Sequence, residues 1–283
     1  VIPCGLILAS VWLQQAYSGE DIAAPGDAAA ETKDARTEGM RERAEAIVVN
    51  TLETDDEKAL NLMPGPWFRY NDGPRRIVDA TLWGWGTTGR PLAVQKIELY
   101  SRRNGSLHWF YCMASLSEGL IHGLWRDGTR WSAKKSGVEM RVLPEEPKPS
   151  ASAIGRLVQM KNIARRFSSR MADPPTEEQM RLLARPIYRY SDPNAGLVDG
   201  AIFGFASNGT NPDLLLLIEL HGQEPSESSW RYGLARMTTA ELSVRFDQKE
   251  VWSAPFVRGP GQGGVARFDT WLFFWESLGA TRR

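Results

Sequence analysis

One feature constrains this chain more than any other: it repeats itself. Pro66-Trp67-Phe68-Arg69-Tyr70-Asn71-Asp72 returns as Pro186-Ile187-Tyr188-Arg189-Tyr190-Ser191-Asp192, about 120 residues further on. At the same offset, Val78-Asp79-Ala80-Thr81-Leu82-Trp83-Gly84-Trp85 meets Val198-Asp199-Gly200-Ala201-Ile202-Phe203-Gly204-Phe205. A one-residue slip then carries Ile97-Glu98-Leu99 onto Ile218-Glu219-Leu220, Trp109 onto Trp230, and Trp131-Ser132-Ala133 onto Trp252-Ser253-Ala254. Shared composition does not hold a register over such a length. The chain therefore reads as two tandem copies of one module, at 31–143 and 151–283.

Each copy reads as α+β and mainly antiparallel β. A helical lead-in comes first. Met40, Ala44, Ile47 and Thr51 form one apolar stripe, which predicts a helix from Thr32 to Thr51. Leu157, Met160, Ala164, Phe167 and Met171 do the same in the second copy and predict a helix over 154–171. Short alternating runs follow, punctuated by turn signals such as Asn104-Gly105 and Asp127-Gly128. The expected module is one N-terminal helix packed on a five- to six-stranded antiparallel sheet. Pro144-Glu145-Glu146-Pro147-Lys148-Pro149 opens a semi-extended linker, 144–150, between the copies. The stretch 258–264 is Gly-rich, and 269–276 reads as a terminal aromatic strand.

The start of the chain differs in character. Residues 1–18 hold an apolar run too short to span a bilayer, followed by Ala16 and Ser18 at the small-residue positions of a cleavage site. We read 1–18 as a signal peptide and 19–30 as a linker. That reading implies an exported protein with no stable membrane span after cleavage. It also leaves Cys112 as the one cysteine of the mature chain, a small core hydrophobe in a strand.

The search for chemistry returns exclusions. His108, His122 and His221 show no metal-ligand spacing, and no nucleophile elbow is present. No metal or cofactor is indicated. The formal net charge is zero, which argues against a nucleic-acid partner. Eleven tryptophans stand out. Trp83, Trp85 and Trp125, with Phe203 and Phe205 in the second copy, are the candidate rings of a glycan-binding face, against the alternative of core packing. The second lead-in carries Arg156, Lys161, Arg165, Arg166 and Arg170 without an acid, either a solvated face or a docking face. Arg69 with Asp79, and Arg189 with Asp199, are candidate structural ion pairs across neighbouring strands. The competing use of Asp79 is as an acid/base pair with Glu98 for glycoside hydrolysis.

Pro186–Asp192, Asp199–Phe205, Gly209–Glu219 and the lead-in Arg156–Lys161 resemble segments of exported proteins numerous in planctomycete bacteria. That resemblance covers the chain from about residue 60 onward and implies a cell-envelope or secreted setting. It brings no known activity and no site residues. Three functions stay open: a non-enzymatic binding protein of the envelope, whose partner is a glycan or an envelope protein; a carbohydrate- or ester-active hydrolase with carboxylates between the repeats; and a structural scaffold whose copies dock on each other.

Overall fold

The structure, a computed structural model, describes residues 32–53, 56–144, 146–173, 176–223, 228–259 and 264–276. The signal-like start and the 19–30 linker lie outside the described residues.

Helix α1 (Lys33–Glu45) opens the first half. Strands β1 (Val48–Glu53), β2 (Asp56–Ala59), β3 (Asn61–Leu62), β4 (Phe68–Asp72), β5 (Ile77–Gly86), β6 (Ala93–Ser101), β7 (Leu107–Ser115), β8 (Leu120–Leu124), β9 (Arg130–Ser132) and β10 (Arg141–Val142) follow. Helix α2 (Ala153–Arg165) leads the second half, with β11 (Phe167–Asp173), β12 (Thr176–Leu182), β13 (Tyr188–Asp192), β14 (Leu197–Ala206), β15 (Leu214–His221), β16 (Ser229–Arg236), β17 (Glu241–Phe246) and β18 (Lys249–Ala254). The chain ends in β19 (Val265–Arg267) and β20 (Trp271–Trp275). The molecule is thus α+β, dominated by antiparallel strands.

Both helices begin at a side-chain cap. Thr32 Oγ1 accepts from the Ala35 amide and Ser152 Oγ from the Gly155 amide. Both end earlier than the apolar stripe predicts. Ile47, just ahead of β1, and Val49 and Thr51 on it are buried at alternate positions, as are Phe167, Ser169 and Met171 of β11. A spacing of four residues fits a helical turn and also the parity of a strand. The β-branched run Val48-Val49 settles the first case as strand.

Strand counts also differ from the expected five or six. One sheet has seven strands, ordered β19-β20-β7-β6-β5-β3 with β4 also on β5. A second has nine, ordered β10-β16-β15-β14-β12-β11-β17-β18 with β13 on β14. A four-stranded sheet, β2-β1-β8-β9, completes the fold. The nine-stranded sheet is large because β12 pairs with both β14 and β11 and so joins two groups of second-half strands, and each large sheet also takes edge strands from the other half. From the first half, β10 pairs with β16, Arg141 opposite Tyr232. From the chain's end, β20 pairs with β7, Trp271 opposite Ala114 through Trp275 opposite Phe110.

The central strands are buried on both faces. On β5, Trp83 and Trp85 face α1 and join Met40, Ala44 and Ile97 in one core. Leu82 points the other way, into a core shared with Ile202, Leu215 and Leu217 of the second half. On the far side, Phe203 and Phe205 join Met160 and Ala164 of α2. The layers run helix, sheet, sheet, helix, with the traded strand β20 supplying Leu272 and Phe274 to the first outer core.

Candidate ligand site

None of the five candidate binding rings is on a surface. Trp83, Trp85, Phe203 and Phe205 are each 1% exposed and Trp125 is 3% exposed. Trp83 Nε1 donates to Thr81 Oγ1 at 2.8 Å, and Trp125 meets Phe274 edge-on with centroids 5.4 Å apart. They cannot form an exposed glycan face. Strands β5 and β14 are covered twice, by a helix on one side and the other half on the other.

Arg69 and Asp79 lie on adjacent strands, with Arg69 Nε donating to Asp79 Oδ1 at 2.8 Å. Arg36 of α1 donates to the second carboxylate oxygen at 2.9 Å. Arg189 Nε reaches Asp199 Oδ1 at 2.9 Å, and Arg156 of α2 reaches Asp199 Oδ2 at 2.8 Å. Each aspartate thus ties a helix to a sheet. Burial alone would raise the Asp79 carboxyl, but hydrogen bonds from Arg69 and Arg36 outweigh it and hold its pKa below the ordinary value. The basic lead-in is only partly engaged: Arg165 is exposed and bonds Asn162, and Lys161 has no carboxylate partner among the described residues, but the other three are paired. Arg156 is held by Asp199, Arg166 by Asp247 and Glu146, and Arg170, on β11, by Glu177.

Asp79 and Glu98 do not meet. Glu98 pairs in register with Ala80, so it projects from the opposite face of the sheet. It points toward the other half and accepts from the hydroxyl of Tyr70, on β4 of its own half, at 2.5 Å. Lys96 Nζ lies 3.9 Å from it and donates across the halves to Asn211 Oδ1 at 2.6 Å and the Met237 carbonyl at 3.0 Å. Arg75 donates to Asp213 at 2.7 Å. A cavity of about 170 Å³ opens beside Glu98. In the second half, Glu219 accepts from Tyr190 at 2.7 Å and from two nitrogens of Arg90 at 2.7 Å each. Sequence reasoning missed Arg75, Arg90, Lys96 and Asp213 because none of them repeats. The one signal was Lys96 two residues before Glu98, which alternation places on the same face of one strand.

A larger cavity, about 420 Å³, sits where the ends of β7 and β16 meet the traded strands. Its walls include Ser115, Arg141, Tyr232, Arg236, Trp252 and Trp271. Arg236 is only 9% exposed, and its three nitrogens donate to the carbonyls of Thr238, Pro255 and Ala240 at 2.7–3.0 Å. Its guanidinium stacks 4.7 Å from the Trp271 ring. No carboxylate pairs with it among the described residues. Burial pushes its pKa down to about 10. The one carboxylate in the wall, Glu139, is held by Arg141 at 2.9 Å.

Compared with protein-family models, curated proteins and solved structures, the chain matches none. Among the described residues, no group of three or more His, Cys, Asp or Glu is placed to hold a metal, and no helix is long and apolar enough to cross a membrane.

Proposed function

We propose that this protein is an exported binding protein, built by duplication of one module, that holds a small organic anion of the sugar-acid class in the 420 Å³ cavity between its halves. Support for the duplication comes from register. Arg69 lies opposite Thr81 and Arg189 opposite Ala201, and both strand pairs bulge at the same place, after Tyr70 and after Tyr190.

The observation that carries the ligand reading is Arg236. A buried guanidinium without a carboxylate is costly to desolvate, and carbonyl dipoles offset only part of that cost. An incoming carboxylate or phosphate completes it. Arg141 and Lys135 in the same wall are already paired with Glu139 and Asp269, so Arg236 is the wall's cation left for an anion, and Trp252, Ser253 and Thr270 offer a ring and hydroxyls that suit a sugar body. The hydrolase alternative has less support, because the cavity wall holds a single carboxylate where two are needed. A scaffold role accounts for the traded strands but not for the cavity.

Calorimetric titration with glucuronate, glucose and inorganic phosphate tests this. Glucuronate is expected to bind, glucose far more weakly, and Arg236→Met to weaken glucuronate by roughly tenfold or more. Equal binding of glucuronate and glucose, or an Arg236→Met protein that binds as well as the parent, would sink the reading.

A further inference from the structure

A second, separate site is built at the far end of the seven-stranded sheet. The open basin there, about 540 Å³, is lined by Arg76, Tyr100, Arg102, Arg103, Asn104 and Trp275, with Ser101 between. Tyr100 and Trp275 pack edge to face, 5.0 Å between centroids, and Phe110 backs both. None of the three arginines has an acidic partner among the described residues. Glu276, next to Trp275, is turned away and bonded to Arg43 at 3.3 Å. Asp72 and Asp213 are engaged by Arg75, not by the basin's cations. Three unneutralised cations around a tryptophan, in a chain with no net charge, are a local concentration of positive field.

Arg76 is held in the left-handed region, with φ of 63°. Its carbonyl accepts from the Ser101 amide at 3.0 Å, which locks the side chain's root against the arginine hairpin. The matching residue of the second half, on the duplication proposed above, is Gly196, also left-handed with φ of 69°. Glycine adopts that conformation freely, whereas arginine carries strain there. Arg102 and Arg103 fall opposite Gln223 and Glu224 in the same alignment. The fold therefore does not require cations at these positions; one half has them and the other does not.

We propose that this basin is a docking surface for an acidic polysaccharide segment. The arginine forks take carboxylate or sulfate groups, and the Trp275 and Tyr100 rings pack against the sugar bodies. A nucleic acid shares the anionic and stacking chemistry, but it calls for a longer basic track than three arginines in a neutral chain supply.

The test uses a galacturonate oligosaccharide and its methyl-esterified, neutral counterpart, titrated into the full chain at low and high salt. The acidic form is expected to bind, with affinity falling as salt rises, and the neutral form to bind far more weakly. The combined variant Arg76→Gly, Arg102→Gln, Arg103→Glu imports the second half's residues. It is expected to melt within a few degrees of the parent and to lose roughly tenfold or more in affinity. Trp275→Ala is expected to weaken binding with the salt dependence intact. Unchanged affinity in the combined variant overturns the proposal. So does a single-stranded oligonucleotide that binds more tightly than the uronate. Arg236→Met is expected to leave this binding unchanged, which separates failure here from failure at the cavity between the halves.

Discussion

Arg90 reaches out of the β5–β6 turn and grips Glu219 of the opposite half with two hydrogen bonds of 2.7 Å each. The carboxylate is fully buried, so the guanidinium is its compensation and not an ornament. Removing it with Arg90→Ala strands a buried charge. Urea denaturation is expected to show a loss of about 3–5 kcal/mol at neutral pH. A loss under about 1 kcal/mol would show that water or a rearranged neighbour replaces Arg90.

Glu219 and Glu98 occupy matching strand positions yet titrate in opposite directions. Burial alone would raise the Glu219 carboxyl, but the hydrogen bonds from Arg90 and His221 bring it from 4.5 down to about 2. Its contribution, about 3 kcal/mol, is fully present above pH 4.5 and is lost as the pH falls toward 2. Burial raises Glu98, and the Lys96 ammonium at 3.9 Å and the Tyr70 bond only partly oppose it. Its contribution is present below the ordinary carboxyl value and is lost as the pH rises through the raised one. Glu219→Gln should flatten the acid limb of a stability-against-pH curve. Glu98→Gln should leave that limb in place and reduce the decline above it. Identical curves for the two variants would contradict this assignment.

Trp83 and Phe203 are core residues, so truncating them should cost stability and not affinity. Trp83→Ala and Phe203→Ala are each expected to lose about 3–5 kcal/mol. The folded fraction should titrate with glucuronate as the parent does. Selective loss of sugar binding with unchanged melting would return these rings to the ligand.

Trading edge strands makes each half incomplete alone. A fragment of residues 31–143 lacks β20 and the Leu272 and Phe274 side chains that fill its outer core. A fragment of residues 151–283 lacks β10 beside β16. Each is expected to show shallow, non-cooperative melting and exposed apolar surface, because an unpaired inner edge invites aggregation. Mixed, they should form a one-to-one complex that melts cooperatively, as light scattering and calorimetry would show. Two independently stable, non-associating fragments would rule this out.

The arginine–aspartate geometry was legible early because it is local. Arg69 and Asp79 are ten residues apart on strands joined by one turn, and alternation puts both on the same face. The helix ends were not legible, since Ile47 to Thr51 and Phe167 to Met171 satisfy both periodicities until a neighbouring strand claims them. The aromatic residues were misassigned for a related reason. Alternation says that Trp83 and Trp85 share a face, but it says nothing about what covers that face.

By itself, the sequence determined the α+β, mainly antiparallel character, the internal repeat pattern, and the pairing of charges close along the chain. Each of these follows from a period of a few residues or from direct similarity. Only the tertiary structure decided that β10 and β20 would close sheets built by the opposite half. It also decided that Arg90 would meet Glu219, and that Arg236 would be buried without an acid beside a cavity. Those contacts join residues about ninety or more positions apart, or depend on the space left between packed sheets. No periodicity in a one-dimensional pattern records either.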